Sequence, residues 1–296
     1  MTVAGTAAVP ASDFGRDELT ELWNRAYEGY FVPIAFDAQR FERHLRRAGV
    51  ELALSRVLVA ADGQACGISL AGRRGERGYL AGFGIAGSHR RQGLGQQLIG
   101  AQVAAFSQAR IRQALLEVIE QNPARALYRQ AGFEALRTLE VLEWTAEPRA
   151  PAPATAHALD AATLAAVHHA CSALCRPTWR RELPTVQDAI AREGALALGV
   201  RQGAATLAYA VLPRPEDPQG VLLDAAAVGE DAAHRLLDML ALARPGVRWR
   251  LVDEPCGSPF FRAVTARGAA PVIRQVEMAL TLQAAPDAPT VFPLSP

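Results

Sequence analysis

Residues 78–106, "GYLAGFGIAGSHRRQGLGQQLIGAQVAAF", constrain the fold more tightly than any other stretch of the chain. An apolar run at 80–86 reads as a strand. A loop with two arginines and Gly-x-Gly follows, and then Leu98, Ile99, Val103 and Phe106 recur at helical spacing. Gly93 and Gly95 leave no side chain over the backbone N–H groups of the first helical turn. Those groups, with the helix dipole behind them, solvate an anion. Arg90 and Arg91 add cationic partners at the rim. A dinucleotide-binding unit would need a tight βαβ crossover and an acidic residue about 20 positions further on. The strand here belongs instead to a hairpin meander, which disfavours that reading.

The meander is legible on either side. Helical patterns cover 14–27 and 37–47, and "SRVLVAAD" and "QACGISLAG" flank the hairpin signal Asp62-Gly63. After the quoted helix, "ALLEVI" suits a central strand. Asn122 as N-cap and Pro123 in the first turn open a short helix that Gly132 ends. "FEALRTLEVLEW" is the next strand. The order is two helices, three antiparallel strands, then helix, strand, helix, strand.

A Pro- and Ala-rich segment, "TAEPRAPAPATAHA", lacks hydrophobic period and reads as a linker, as does the tail after Leu282. Beyond the linker the order recurs: helices near 161–174 and 186–193, strands "ALALGV", "ATLAYAVL" and "GVLLDAAAV", helix "AAHRLLDMLALA", strand "VRWRLV", a helix near 260–267 and strand "PVIRQVEMALTL". Ser258-Pro259 falls on Asn122-Pro123, and Gly268 on Gly132, ten residues on in both copies. The chain is a drifted tandem repeat.

The 296 residues are 50% apolar and 21% charged with a formal net charge of +1, which suits a core-forming protein and gives no field to recruit nucleic acid or an anionic membrane. Every cationic side chain is arginine, with no lysine, so an arginine cluster is weak evidence for an arginine-specific site. The four cysteines show no disulfide spacing, and the start lacks a leader pattern, which favours a cytoplasmic setting. His168, Cys171 and Cys175 share a helical face but form no tetrahedral ligand set, so no metal is expected.

"RRQGLG" after a strand, followed by "LEVIEQNPARALYRQAGF", resembles the two signatures of the GCN5-related N-acetyltransferases (GNATs) in their order and separation. The likeness covers most of 14–145. It implies an α/β fold of two tandem GNAT-like domains, each a mixed, mostly antiparallel sheet with helices on both faces. These are 1–147, catalytic, and 159–283, degenerate, with 148–158 as linker and 284–296 as tail. It implies transfer of the acetyl group of acetyl-CoA to a primary amine of a small molecule or protein N-terminus, by direct attack in a ternary complex. The backbone of Arg91, Gln92, Gly93, Leu94, Gly95 and Gln96 would cradle the coenzyme pyrophosphate, with Arg90 and Arg91 at the rim. Phe83, Gly84 and Ile85 would face the pantetheine arm where the strand at 80–86 splays from that at 115–119. Gly82 and Gly84 suit a bulge or close backbone approach.

By the same resemblance, Tyr128 protonates the leaving thiolate and Asn122 meets the cofactor, although the Asn122–Tyr128 spacing is one residue shorter than the family pattern. Glu117, a carboxylate in an apolar strand, is the candidate base, with Glu120 or a water chain as competitors. Glu28, Tyr30 and Phe31 fall where relatives build the acceptor wall. In the second copy Gly229 stands alone in the loop, Glu230 and Asp231 put negative charge where a pyrophosphate would sit, and Val264 takes the tyrosine position. That copy would then be structural, making the chain an internal pseudo-dimer or a homodimer. The competing readings are a non-catalytic acyl-CoA-binding scaffold and an enzyme for another acyl group.

Overall fold

The computed structural model describes residues 5–148, 156–214 and 220–283. Most of the expected linker and the whole tail 284–296 lie outside the described residues. The chain forms two compact units: one of residues 1–116, 123–134 and 279–296, the other of 117–122 and 135–278.

The first unit holds β1 (Ala7–Pro10), α1 (Arg16–Ala26), α2 (Ala38–Ala48), β2 (Arg56–Val59), β3 (Ala65–Arg74), β4 (Arg77–Ile85), α3 (Leu94–Gln108), the first part of β5 (Gln113–Ile119) and α4 (Ala124–Gln130). Its strands lie in the order β1-β2-β3-β4-β5. All neighbours are antiparallel except β4 and β5, which are parallel. Gly63 turns the β2–β3 hairpin at φ +82°. β1 has no counterpart in the sequence reading: "AAVP" is too short to alternate, and its pairing with β2 alone makes it a strand.

One extra residue in β4 organises this sheet. Leu70 pairs with Gly82 but Ala71 with Leu80, so Ala81 is a bulge. A bulge reverses which side chains face which side of a strand. Before it, a Cβ on Gly78 would meet the Phe106 ring of α3 at 2.8 Å. After it, a Cβ on Gly82 would meet Trp23 of α1 at 2.2 Å, and one on Gly84 would meet the Ala26 Cβ at 3.0 Å. The two glycines therefore let α1 lie directly on the β4 backbone, while Phe83 and Ile85 turn to the opposite face to pack with Leu58, Cys66, Leu94 and Leu98.

The second unit contains β6 (Glu134–Thr145, from its second residue), β7 (His157–Ala158), α5 (Ala161–Leu174), α6 (Leu183–Glu193), β8 (Leu196–Gln202), β9 (Ala205–Leu212), β10 (Val221–Leu222), β11 (Asp224–Ala227), α7 (Glu230–Ala243), β12 (Arg248–Pro255), α8 (Pro259–Ala266) and most of β13 (Ala270–Thr281). Strands β13-β6-β12-β10 are neighbours in one sheet, and β11-β9-β8-β7 form another. The single strand expected from "GVLLDAAAV" is thus two, broken at Leu223. A core of Trp144, Trp249, Leu236, Leu237, Leu240 and Phe260 fills one side of this unit. The mixed α/β architecture read from the sequence is the architecture found.

Two substitutions test the packing with opposite signs. Gly82→Ala drives a methyl into the buried Trp23 ring and should cost about 1–3 kcal/mol. Gly100→Ala, in mid-helix with open space around it, should stabilise by about 0.5–1 kcal/mol. Urea midpoints that fall for the first and rise for the second bear this out. An unchanged Gly82→Ala midpoint contradicts it.

Candidate functional site

β4 and β5 pair at Arg77–Gln113, Gly78–Ala114 and Tyr79–Leu115, and among the described residues at no position beyond. From Leu80 on, the β4 edge parts from its neighbour. Phe83, Gly84 and Ile85 are half-buried there, whereas Tyr79 to Gly82 are buried. Backbone groups on a parted edge must find partners elsewhere. Here the Phe83 N–H donates to the Tyr27 hydroxyl at 3.1 Å.

Past β4 the chain makes a short 3-10 turn (Gly87–His89) and enters the glycine loop. Arg91 at φ +62° and Gly93 at φ +77° are both left-handed. That conformation costs a side-chain-bearing residue roughly 1–2 kcal/mol, so Arg91 is held there by the loop. Left-handed residues in such a turn point successive N–H groups into one concavity. Among the described residues, the N–H groups of Arg91 to Gly95 have no protein partner, and α3 begins immediately behind them at Leu94. Gln96 differs from expectation. Its N–H donates to the Gly93 carbonyl at 3.1 Å as the first bond of the helix, so the cradle amides end at Gly95. The Gln96 side chain instead donates to Gln130 Oε1 of α4 at 3.0 Å, and Gln92 reaches the Ser88 carbonyl.

The two arginines divide their work. Arg90 donates from Nε to the Ile85 carbonyl at 3.0 Å and from Nη2 to the Ala26 and Glu28 carbonyls at 2.9 Å each. Its guanidinium ties the loop to the end of α1 rather than pointing to the rim. Arg91 is exposed beside the free amides. The sequence offered no signal for this split, because all three partners of Arg90 are backbone carbonyls, two of them more than sixty residues away.

Tyr128 is buried in α4, with its ring edge-on to Phe83 at 5.8 Å and to Phe133 at 6.1 Å. Burial first, and then the phenols of Tyr27 and Tyr30, push its hydroxyl well above the ordinary tyrosine value. The group therefore stays protonated throughout the neutral range. Tyr27, which the sequence marked only as a helix end, stacks on Trp23 at 4.2 Å and meets Tyr30 edge-on at 5.2 Å. Asn24 pins the loop that carries Tyr30 and Phe31: its side chain bonds both the N–H and the carbonyl of Phe36 at 2.9 Å. Phe31 is half exposed, and Glu28 lies beside Gly87.

Glu117 and Asn122 belong to the 117–122 segment of the second unit. Glu117 is half-buried on β5 and Glu120 is exposed. The Asn122 N–H donates to the Ile119 carbonyl at 2.9 Å. Pro123, not Asn122, holds the N-cap position of α4, and its φ of −61° and ψ of −19° are already helical. Proline's fixed φ starts the helix there. His168, Cys171 and Cys175 are accounted for within the second unit: His168 Nε2 bonds the Arg181 carbonyl at 3.0 Å, burial lifts the Cys171 thiol to about 12, and Cys175 lies by Arg137.

Residues 53–135 match the family model described as an acetyltransferase (GNAT) domain. No curated protein matches the sequence. Among solved structures, the chain is similar to a GCN5-related N-acetyltransferase from Sphaerobacter thermophilus, with 17% identity over 95% of this chain and 97% of that one and a TM-score of 0.66. It is similar also to a tandem GNAT protein from the clavulanic acid biosynthesis pathway, at 15% identity over 96% and 100% with a TM-score of 0.66. A third is a GCN5-related N-acetyltransferase from Anabaena variabilis, at 14% identity over 93% and 72% with a TM-score of 0.63. At such identities the structural likeness is one of fold. The GNAT domain match covers residues 53–135, and the chain as a whole shares the fold of tandem GNAT proteins.

Arg90→Ala should speed hydrogen exchange of the bonded loop amides of Ala86, His89 and Arg90 and of the last turn of α1. Arg91→Ala should leave the same amides at wild-type rates. Equal effects of the two substitutions would contradict the anchoring role of Arg90.

Proposed function

We propose that the chain is an acetyl-CoA-dependent N-acetyltransferase that acts on a primary amine of a small molecule or protein N-terminus by direct attack in a ternary complex. The catalytic repeat is 1–147 and the second repeat, 159–283, is structural. The observation that carries this reading is the run of N–H groups from Arg91 to Gly95 at the start of α3, without a partner among the described residues and within the matched GNAT domain. Five amides with a helix dipole behind them fit a pyrophosphate, and a Cβ on Gly95 would crowd Leu127 at 3.3 Å. Arg91 supplies the rim charge, with Arg90 holding the loop in shape. Phe83, Gly84 and Ile85 offer the parted edge to the pantetheine arm, and Asn122 is assigned to the cofactor.

Acetyl transfer needs a neutral amine, donors for the developing oxyanion and a proton for the thiolate. The Tyr27 hydroxyl, which accepts from the Phe83 N–H, is the oxyanion donor beside the bulge. Tyr128 is the acid. A phenol above its ordinary value of about 10 protonates a thiolate of about 8.5 only uphill in water. In the same dry surroundings burial raises the thiol as well, which closes the gap. Glu117 takes the proton from the incoming ammonium, directly or through water. Tyr30, Phe31 and Glu28 form the aromatic and acidic wall suited to a cationic amine. No helix among the described residues is long and apolar enough to cross a membrane, and the four free thiols suit a reducing cytoplasm.

Gly95→Trp should abolish acetyl-CoA binding in calorimetry while the circular dichroism of the protein is unchanged. Retained affinity in the folded variant removes the cradle from the account. Tyr128→Phe should lower kcat by ~10²–10⁴-fold with unchanged acetyl-CoA affinity. Wild-type turnover on an identified amine would make Tyr128 a packing residue. Glu117→Gln should depress kcat most at low pH, where the amine is most protonated; a uniform effect across pH would count against Glu117 as the base.

A further inference from the structure

The second unit repeats the parting of two parallel strands. β10 pairs parallel with β12 at Val221–Arg250 and Leu222–Leu251. At Leu223 the chain leaves that strand, its N–H donating to the Val211 carbonyl at 3.0 Å, and β11 continues along β9 in the other sheet. Between β11 and β12 the backbone and side chains face a gap with the same origin as the parted edge of β4.

This gap is filled from within. A single 3-10 turn, Trp179–Arg181, presents Arg181 to it, with the side chain one-tenth exposed. Nε donates to Asp224 Oδ1 at 2.7 Å, Nη2 to the Ala225 carbonyl at 2.5 Å, and Nη1 to Glu254 Oε2. The guanidinium thus bonds a side chain and a backbone carbonyl of β11 on one side and a β12 side chain on the other. The outer oxygens of both carboxylates are satisfied too: Tyr209 donates to Asp224 Oδ2 at 2.6 Å, and Ser258 to Glu254 Oε1 at 2.7 Å. The turn itself is fastened by His168 Nε2 on the Arg181 carbonyl. What space is left is a cavity of about 30 Å³, enough for one or two waters and no more.

We propose that Arg181 is the resident occupant of the second repeat's strand gap, bridging β11 to β12 in the place an acyl-CoA arm would need. A planar fork suits this task because its donors diverge in fixed directions toward both walls, which a lysine ammonium cannot match. The mention of acyl-CoA rests on the proposed function; the bridging role does not. The rest of the second repeat agrees. Gly229 before α7 is extended at φ −174° rather than left-handed, the first turn of α7 carries Glu230 and Asp231, and Glu230 is paired with Arg262. At the position of Tyr128 the buried Val264 has no proton to give.

The bridging role is tested by removing the guanidinium and offering it back. Arg181→Ala in the full chain leaves two buried carboxylates around a guanidinium-sized hole, and its Tm should fall on the order of 10 °C. Millimolar ethylguanidinium should restore part of that loss, whereas ethylammonium at equal ionic strength should not, and neither should raise the wild-type Tm. Equal action of the two cations, or a variant as stable as wild type, overturns the proposal. If Arg181→Ala does not fold, Arg181→Lys carries the test: it should fold with a lowered Tm that ethylguanidinium leaves unchanged, and a wild-type Tm would overturn the proposal. In calorimetry the wild type should bind one acetyl-CoA per chain, and two would show the second gap open. Zero would overturn the proposed function while leaving the rescue result to decide the role of Arg181.

Discussion

Two parallel strands that begin as neighbours and then part leave a row of peptide groups facing a gap, and a buried peptide group without a partner costs as much as a lost hydrogen bond. Everything particular to the first unit follows from how that cost is met. β4 and β5 stay paired through Tyr79 and Leu115 only. The bulge at Ala81 then turns Gly82 and Gly84 toward α1, so the helix lies on the strand and Tyr27 reaches the Phe83 N–H. The same bulge turns Phe83 to the other face, where Tyr128 packs against it. One inserted residue thereby sets both phenols at the edge where the strands separate.

The second unit meets the same cost without a ligand. There β11 joins another sheet altogether, and a charged side chain closes the gap. Burial works against the Arg181 charge, but Glu254 and Asp224 outweigh it and hold the guanidinium above its ordinary value. Burial also raises Glu254, against the pull of Arg181 and Ser258. Breaking such a network is costly chiefly because of the carboxylates it would strand. A fold built to open between two strands is here held shut by its own chain.

Much of this was legible in the sequence. The strand, glycine loop and helix at 78–106 were readable because Gly-x-Gly, apolar runs and helical spacing are local signals, and the repeat showed because Asn122-Pro123 and Ser258-Pro259 keep their distance to a glycine. Gly132 and Gly268 are indeed both left-handed, at φ +93° and +88°. What was not legible depends on distant partners. The sequence marks Arg90 as a rim cation, yet its acceptors are the carbonyls of Ile85, Ala26 and Glu28. The apolar run "GVLLDAAAV" predicts one strand, yet it breaks at Leu223. Periodicity fixes an element's face but not which neighbour meets it. For the same reason the pattern shows Tyr27 only as a helix end and Gln96 as a cradle amide.

A crystal structure of the chain grown with acetyl-CoA tests the central claim most directly, because both gaps are present in one molecule. The account predicts a single cofactor, its pyrophosphate on the N–H groups of Arg91 to Gly95, its arm along Phe83 to Ile85, and Arg181 unmoved between β11 and β12. A cofactor seated between β11 and β12 with Arg181 displaced, or a glycine loop left bare at saturating acetyl-CoA, would contradict it.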